Sequence, residues 1–561
     1  MSNEVLTARV HWPHAYLKSF SIVGFLVGTL FFSASLSPSL VPRAAVLQGA
    51  LSGLTLAIGY CVGIFGCWLW SYLELPNPWR THARIVRNVA VTICLLVGSY
   101  FLLQAMAWQN SIRELMEMEP LDGRQPFTVG SFALLVFLVL MILGRAFQVM
   151  FRFISRRLAS RIPRRIATAL GVFLGVLIFW SAVEGVLFRQ GLRIADATYE
   201  AFDSLDDVDL ERPREDWKTG SDASLIDWTS MGRRGREFVV LAPTREDIVG
   251  VLGHDAMDPL RVYVGLRSAD DAEARARLAL QEMIRVGAFD RSVLVVATPT
   301  GTGWMDPMAF DTLDYLHRGD VATVAIQYSY LASWLSLLVE PGYGAEASRE
   351  LFTAVHEYWS SLPRQSRPRL YLFGLSLGAL SSEQSIQLNE LISDPPQGAL
   401  WAGPPFASTF WRRVTSDREL GSPPWLPRFG DGSVVRFTSQ RNALNIPDAR
   451  WGPLRIVYLQ YASDPITFFE PAMFFQRPPW FATPRGPDVS PKLRWYPIVT
   501  ALQLGVDTML ATEVPLGYGH VYAPEHYIDG WLEVTEPMGF SAVDVAALKS
   551  VFTKRRLEPK P

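Results

Sequence analysis

Cysteine, charge and histidine are all scarce in this chain, and each shortage removes a class of explanation. The three cysteines, Cys61, Cys67 and Cys94, lie in apolar runs, and none follows residue 190. The later part of the chain therefore has neither a disulfide framework nor cysteine ligands for a metal, and its redox compartment is left open. Charged residues make up 19% of the 561, below the usual quarter, and the deficit falls almost wholly before residue 190. A net charge of −2 gives no electrostatic footprint for nucleic acid. No glycine-rich dinucleotide motif or phosphate-binding loop stands at a strand-to-helix junction, so no nucleotide cofactor is expected. With only eight histidines in the chain, a histidine-dependent reaction has few places to reside.

What fills the first third is apolar sequence. Runs of about 20 residues read as membrane helices, and five are expected at 19–40, 46–73, 88–108, 130–150 and 167–188. Arg and Lys in the short loops set the orientation. Arg9 and Lys18, then Arg80, Arg84 and Arg87, then Arg152, Arg156, Arg157, Arg161, Arg164 and Arg165 share one side. The opposite loops hold Arg43, then Arg113 and Arg124 diluted by Glu114, Glu117, Glu119 and Asp122. The pattern predicts a cytoplasmic N-terminus in a plasma membrane. An odd number of spans then puts everything after residue 190 on the extracytoplasmic side. Gly53, Gly59, Gly63 and Gly66 in the second run suit close helix packing. Arg145 and Glu184 lie near span ends, where long side chains reach the interface.

Three parts are therefore expected: a five-span helical domain at 1–190, an acidic juxtamembrane stalk at 191–230, and an α/β domain at 231–561. In the last, short apolar runs at 236–242, 260–265, 292–298, 321–327, 369–374, 397–402 and 455–461 read as strands. Amphipathic segments at 270–286 and 344–361 read as helices between them. Strand and helix in alternation predict a mostly parallel sheet covered on both faces, with function beyond the carboxyl ends of the strands.

The most informative stretch is Arg369-Leu-Tyr-Leu-Phe-Gly-Leu-Ser-Leu-Gly378, which reads as strand, sharp turn and helix with Ser376 at the apex. Gly374 and Gly378 remove the Cβ atoms that would clash as strand and helix close together. The turn lifts the serine hydroxyl clear of the sheet and aims a helix N-terminus at what it attacks. A serine hydroxyl needs a base, and the base needs a carboxylate to orient it. Asp464 follows the run Arg455–Tyr461 at a strand end. An Asx cap before Pro465 would also account for it, but Asp417, Asp431 and Asp448 lie in loop-like sequence and are weaker candidates. Beyond Asp464 only His520 and His526 remain. His520, in the loop Gly517-Tyr-Gly-His520, is preferred as base; His526 falls in a following helix and is the alternative. The order Ser, Asp, His is that of α/β-hydrolases. For the oxyanion hole, the Leu377 amide supplies one donor, and Thr300 or Gly301, in the loop after the 292–298 strand, supplies the second. That loop serves equally well as a plain glycine turn. Trp401, Phe406, Phe468, Phe469, Phe474 and Phe475 are candidates for an acyl pocket or for packing.

On these residues the chain resembles a family of bacterial membrane-bound α/β-hydrolases that join a multi-span N-terminal domain to a C-terminal catalytic domain. The likeness rests on Ser37-Pro-Ser-Leu-Val-Pro-Arg43, Val262-Tyr-Val-Gly-Leu266, Gln327-Tyr-Ser-Tyr330, the Ser376 elbow, Gly519-His520 and Glu525-His-Tyr527. It covers nearly the whole chain. The expected activity is hydrolysis of an ester or thioester through an acyl-enzyme on Ser376, without metal or other cofactor. The expected substrate is a lipid or acylated small molecule of the cell envelope, with membrane lipids as the surroundings. Two other readings are an acyltransferase using the same triad and a non-catalytic transporter or scaffold with a hydrolase-like domain.

Overall fold

The computed structural model describes residues 21–76, 83–121, 123, 125–160, 162–181, 210–331, 335–336, 342–482 and 484–557. The chain forms two compact units, neither continuous in sequence. One joins Met1–Phe188 to Glu470–Phe481 and Asp488–Leu510; the other contains Arg189–Phe469, Ala482–Pro487 and Ala511–Pro561.

In the first unit three helices are long and apolar enough to cross a membrane: Ala45–Tyr72, Arg84–Leu115 and Gln125–Ala159. The expectation of five spans is thereby reduced to three candidates among the described residues. The first expected span forms the helix Ile22–Ser35, 14 residues long. At 1.5 Å per residue it reaches about 21 Å, short of a hydrocarbon core of about 30 Å. The fifth begins as Arg164–Ser181, and its expected end at residue 188 lies outside the described residues. Small residues set the packing here. A Cβ on Gly53 would meet the Ala133 carbonyl at 2.5 Å, one on Gly59 the Phe31 side chain at 2.8 Å, and one on Gly63 the Gly24 Cα at 2.7 Å. Gly66 has open space around it, so the packing role expected of it does not hold.

Helix Val499–Met509 packs on Ile22–Ser35 and Ala45–Tyr72. Its Asp507 makes a buried ion pair with Arg43, Nε to Oδ1 at 2.8 Å. The other Asp507 oxygen accepts the Leu40 amide, and Gln503 Nε2 donates to the carbonyls of Ser35 and Ser37. Ser490 bonds Ser111, near the end of the Ala83–Leu115 helix. The segment 488–507 thus covers one end of the helices, where residues 36–44 turn and the third helix finishes.

The second unit is built on a seven-stranded, wholly parallel sheet: β1 Leu260–Val264, β2 Val293–Thr298, β3 Val321–Ile326, β4 Arg369–Leu375, β5 Gly398–Ala402, β6 Val435–Thr438 and β7 Arg455–Leu459. The order is β1-β3-β2-β4-β5-β7-β6. Nearly every strand residue is buried, as continuous apolar runs in a sheet covered on both faces require. The helices Ala272–Arg285 and Tyr343–Ser361 stand where expected.

Two readings of this half are corrected. Residues 236–242 are not a strand; they lie mostly in helix Gly232–Val240. Glu237 there pairs with Arg233 and Arg234 one turn back, while Phe238 and Val239 turn to the core. Helical side-chain spacing overrides the β-propensity of Phe-Val-Val. Conversely, β6 was unforeseen, being four residues long between glycine-rich turns. The expected stalk is described only from residue 210. From there it packs on the sheet unit, Ser224 and the Leu225 amide donating to the Glu282 carboxylate at 2.6 and 3.0 Å.

Candidate active site

The strand order reverses between β2 and β4, and loops leaving the carboxyl ends of such neighbours border a crevice. Ser376 leaves β4 there. Its φ of 58° and ψ of −125° are rare for a side-chain-bearing residue and mark backbone strain of about 1–3 kcal/mol. The sequence permits this turn because of its two glycines. A Cβ on Gly374 would lie 2.3 Å from the Gly378 carbonyl, and one on Gly378 would lie 2.2 Å from the Thr298 carbonyl. The first turn of helix Leu377–Ser385 is thus pressed onto the end of β2. The Ser376 amide donates to the Ala402 carbonyl at 3.0 Å, and its own carbonyl accepts from Ala379 and Leu380. The Leu377 amide opens the helix, one of the donors a helix leaves without an internal acceptor.

Asp464 follows β7 and does two things. Its Oδ1 accepts the Ile466 and Thr467 amides at 2.9 and 3.4 Å, capping the short helix Pro465–Phe468. Its Oδ2 accepts from His520 Nδ1 at 2.6 Å, the Tyr522 hydroxyl at 2.7 Å and Thr467 Oγ1 at 3.2 Å. The cap and the imidazole contact coexist, one on each oxygen, and the carboxylate is fully buried.

His520 is held by its backbone as well. Its amide donates to the Ala511 carbonyl, and the preceding Gly519 amide donates to Ser463 Oγ. The ring lies against Gly403, where a Cβ would come within 2.5 Å of Cε1. Gly403 follows Ala402, whose carbonyl takes the Ser376 amide, so imidazole and serine flank the same two residues at the end of β5. His520 Nε2 is buried and has no hydrogen-bond partner among the described residues. His526 lies in helix Pro524–Thr535 and bonds the Tyr461 hydroxyl through Nδ1 at 2.5 Å. The histidine brought to Asp464 is His520.

The loop after β2 is pinned by two tyrosines: Tyr263 donates to the Gly303 carbonyl at 2.8 Å, and Tyr328 to the Pro299 carbonyl at 3.2 Å. Within it the Thr300 amide donates to the Trp304 carbonyl at 3.1 Å. That amide is committed to the turn, so a donor at Thr300 requires the loop to open. Gly301 stands beside it in the same loop. Of the aromatic candidates, Trp401 and Phe468 are core residues, Phe406 and Phe469 meet edge to face at 5.1 Å and are half-buried, Phe474 is half-buried, and Phe475 is exposed.

Three residues here have no sequence signal. Tyr522 bonds Asp464, and burial first, then the neighbouring carboxylate, raises its hydroxyl far above the ordinary range. Tyr461 stacks on Tyr522 at 4.5 Å. Asp306 accepts from the Tyr527 hydroxyl at 2.9 Å, and burial pushes its carboxyl up to about 7. All three are ordinary loop or helix-start residues in the sequence, and only folding brings them to the imidazole.

Residues 260–548 match the model of an alpha/beta-hydrolase family, and residues 36–243 match the model of the N-terminal region of an alpha/beta-hydrolase family. No curated protein and no solved structure matches the chain. The parallel sheet, the strained serine turn after its fourth strand and a family match across more than half the length agree: the chain belongs to the alpha/beta-hydrolase family.

Proposed function

We propose that the chain is a membrane-tethered serine hydrolase that cleaves an ester or thioester, with an envelope lipid as substrate class. One observation carries the reading: His520 Nδ1 bonds buried Asp464 while its Nε2, buried, has no hydrogen-bond partner among the described residues, and the ring lies against Gly403, next to the Ala402 whose carbonyl takes the Ser376 amide. An imidazole so held is a base awaiting a proton. In the reaction, Nε2 takes the Ser376 hydroxyl proton as Oγ attacks the carbonyl carbon. The developing oxyanion is received by the Leu377 amide and a donor from the 300–301 loop. Collapse expels the alcohol or thiol, which leaves with the proton from Nε2. Water then repeats the cycle on the acyl-Ser376 ester, releasing the acid and restoring the hydroxyl. Asp464 keeps the proton on Nδ1 throughout. Phe406 and Phe469 are proposed to border the acyl chain.

The same proposal places the N-terminus in the cytoplasm and the sheet unit across the plasma membrane, by way of an odd number of crossings. The basic-loop asymmetry supports it, as does segment 488–507, which joins the helices at the end where residues 36–44 turn.

The test is covalent labelling of the full chain with a fluorophosphonate probe. Wild type labels, whereas Ser376→Ala and His520→Ala do not. If His526→Ala abolishes labelling and His520→Ala spares it, the base is misassigned. If Ser376→Ala still labels, the nucleophile is elsewhere.

A further inference from the structure

Asp464 collects more donors than one imidazole needs for its orientation. Oδ1 is occupied by the Ile466 and Thr467 amides. Oδ2 takes Thr467 Oγ1 at 3.2 Å, His520 Nδ1 at 2.6 Å and the Tyr522 hydroxyl at 2.7 Å. The two short bonds end on one atom, so the tyrosine draws on the same negative charge as the imidazole.

Tyr522 is built to keep that bond. The side chain is buried, its ring stacks on Tyr461 at 4.5 Å, and it meets the His520 ring edge to face at 5.7 Å. On another side lies Gly403, where a Cβ would come within 2.9 Å of Tyr522 Cε2. The next residue, Ala523, donates its amide to the Tyr461 hydroxyl at 3.0 Å, which ties the backbone to the ring that Tyr522 stacks on. The buried hydroxyl keeps its proton, because burial first and the Asp464 charge second raise it far above the ordinary range. It is therefore a donor before and after His520 gains a proton.

The consequence is electrostatic. A carboxylate oxygen that already accepts a short second bond has less charge to offer a neighbouring cation. His520 becomes that cation when it takes the Ser376 proton. We propose that Tyr522 is a positioning residue of the Ser376 reaction, its hydroxyl fixing Oδ2 of Asp464 against His520 and limiting how tightly that carboxylate holds the protonated imidazole. The inference rests on the hydrolase reading and adds to it the group that tunes the base.

Other titratable groups pack around this pair. Tyr461 bonds His526 Nδ1, the Tyr527 ring lies 6.3 Å from that of Tyr522, and Asp306 accepts from the Tyr527 hydroxyl and feels the His520 charge. Asp306, lifted by burial to about 7, is the one whose titration overlaps that of an imidazole.

The test is the rate of fluorophosphonate labelling of the full chain in detergent, followed across about pH 5 to 9. Tyr522→Phe keeps the stacked ring and removes only the hydroxyl. The midpoint of its profile should rise by about one pH unit, so labelling below the midpoint slows by up to about tenfold while the alkaline plateau is retained. Thr467→Val removes the longer bond to the same oxygen and should move the midpoint the same way by less. Both shifts should persist in an Asp306→Asn background, which takes away the overlapping titration. A Tyr522→Phe profile lowered equally at every pH, with its midpoint unmoved, gives Tyr522 a packing role alone and overturns the proposal, as does a midpoint that falls. If Tyr522→Phe does not fold, Thr467→Val decides: a raised midpoint supports the proposal and an unmoved one overturns it. Labelling that survives Ser376→Ala overturns the hydrolase reading and this inference with it, whereas Ser376-dependent labelling with unmoved midpoints overturns this inference alone.

Discussion

Replacing Asp464 by asparagine separates its two duties. Oδ2 collects three donors, from His520, Tyr522 and Thr467, while Oδ1 collects the two amides of the following helix. Asparagine is nearly isosteric but has one acceptor oxygen and one donor nitrogen. If the oxygen stays with the helix, the amide nitrogen faces His520, and Nδ1 must become the acceptor. The ring proton then moves to Nε2, the atom that has to take the serine proton. If the amide flips, its nitrogen faces the Ile466 and Thr467 amides, donor against donor. The first arrangement keeps the fold and disables the base, so the labelling rate of Asp464→Asn should fall about 10³–10⁴-fold. Stability should fall by only about 2–3 kcal/mol, from the loss of charge-assisted hydrogen bonds. The assay is the second-order rate of fluorophosphonate labelling on purified full chain, with thermal unfolding measured alongside. Asp464→Ala should lose labelling to the same extent and more stability, because the cap goes as well. A variant that stays folded and labels within tenfold of wild type would refute the role given to Asp464.

Gly374→Ala forces a Cβ to within 2.3 Å of the Gly378 carbonyl, so labelling should vanish even where circular dichroism still reports a folded sheet. Removing one partner of the buried Arg43–Asp507 pair, as in Asp507→Ala, should destabilise the helical unit by about 3–5 kcal/mol, read as a lower unfolding midpoint in detergent. The apolar pair Arg43→Met with Asp507→Leu should recover much of that loss. Burial raises Asp306 to about 7 and Glu383 to about 8, so both bind protons more tightly folded than unfolded. The stability tied to Asp306 is full below pH 4 and is lost as pH rises through 7, by up to about 4 kcal/mol at pH 8. Unfolding midpoints measured from pH 5 to 8 should fall accordingly, and Asp306→Asn should flatten the decline; midpoints that rise with pH would contradict this.

Much of the sheet unit can be read along the chain because its signals are local. The Gly374–Gly378 spacing forces a turn that only glycines allow, and six of the seven expected strands are apolar runs that a parallel sheet buries on both faces. Asp464 and His520 were reachable by elimination, since few carboxylates follow a strand end and only two histidines follow them. Local signals failed where a longer-range contact outweighed them. Phe238 and Val239 favour a strand by type, but the Arg233–Glu237 spacing and the core position turn them into a helix. β6 is too short to show a period, and exists because β7 offers it a ladder.

Ser37-Pro-Ser-Leu-Val-Pro-Arg43 stands out in the sequence, yet the partner that explains Arg43 lies 464 residues away. No periodicity extends that far, because ion pairs depend on proximity in space and leave no trace in spacing. Composition and spacing determined the class of this protein: apolar helices, a parallel sheet and a serine on a strained turn. Which histidine meets Asp464 and the placing of 470–481 and 488–510 among the apolar helices were decided by tertiary structure alone. Each depends on groups distant in sequence being held a few ångströms apart, which happens only once the chain has closed around them.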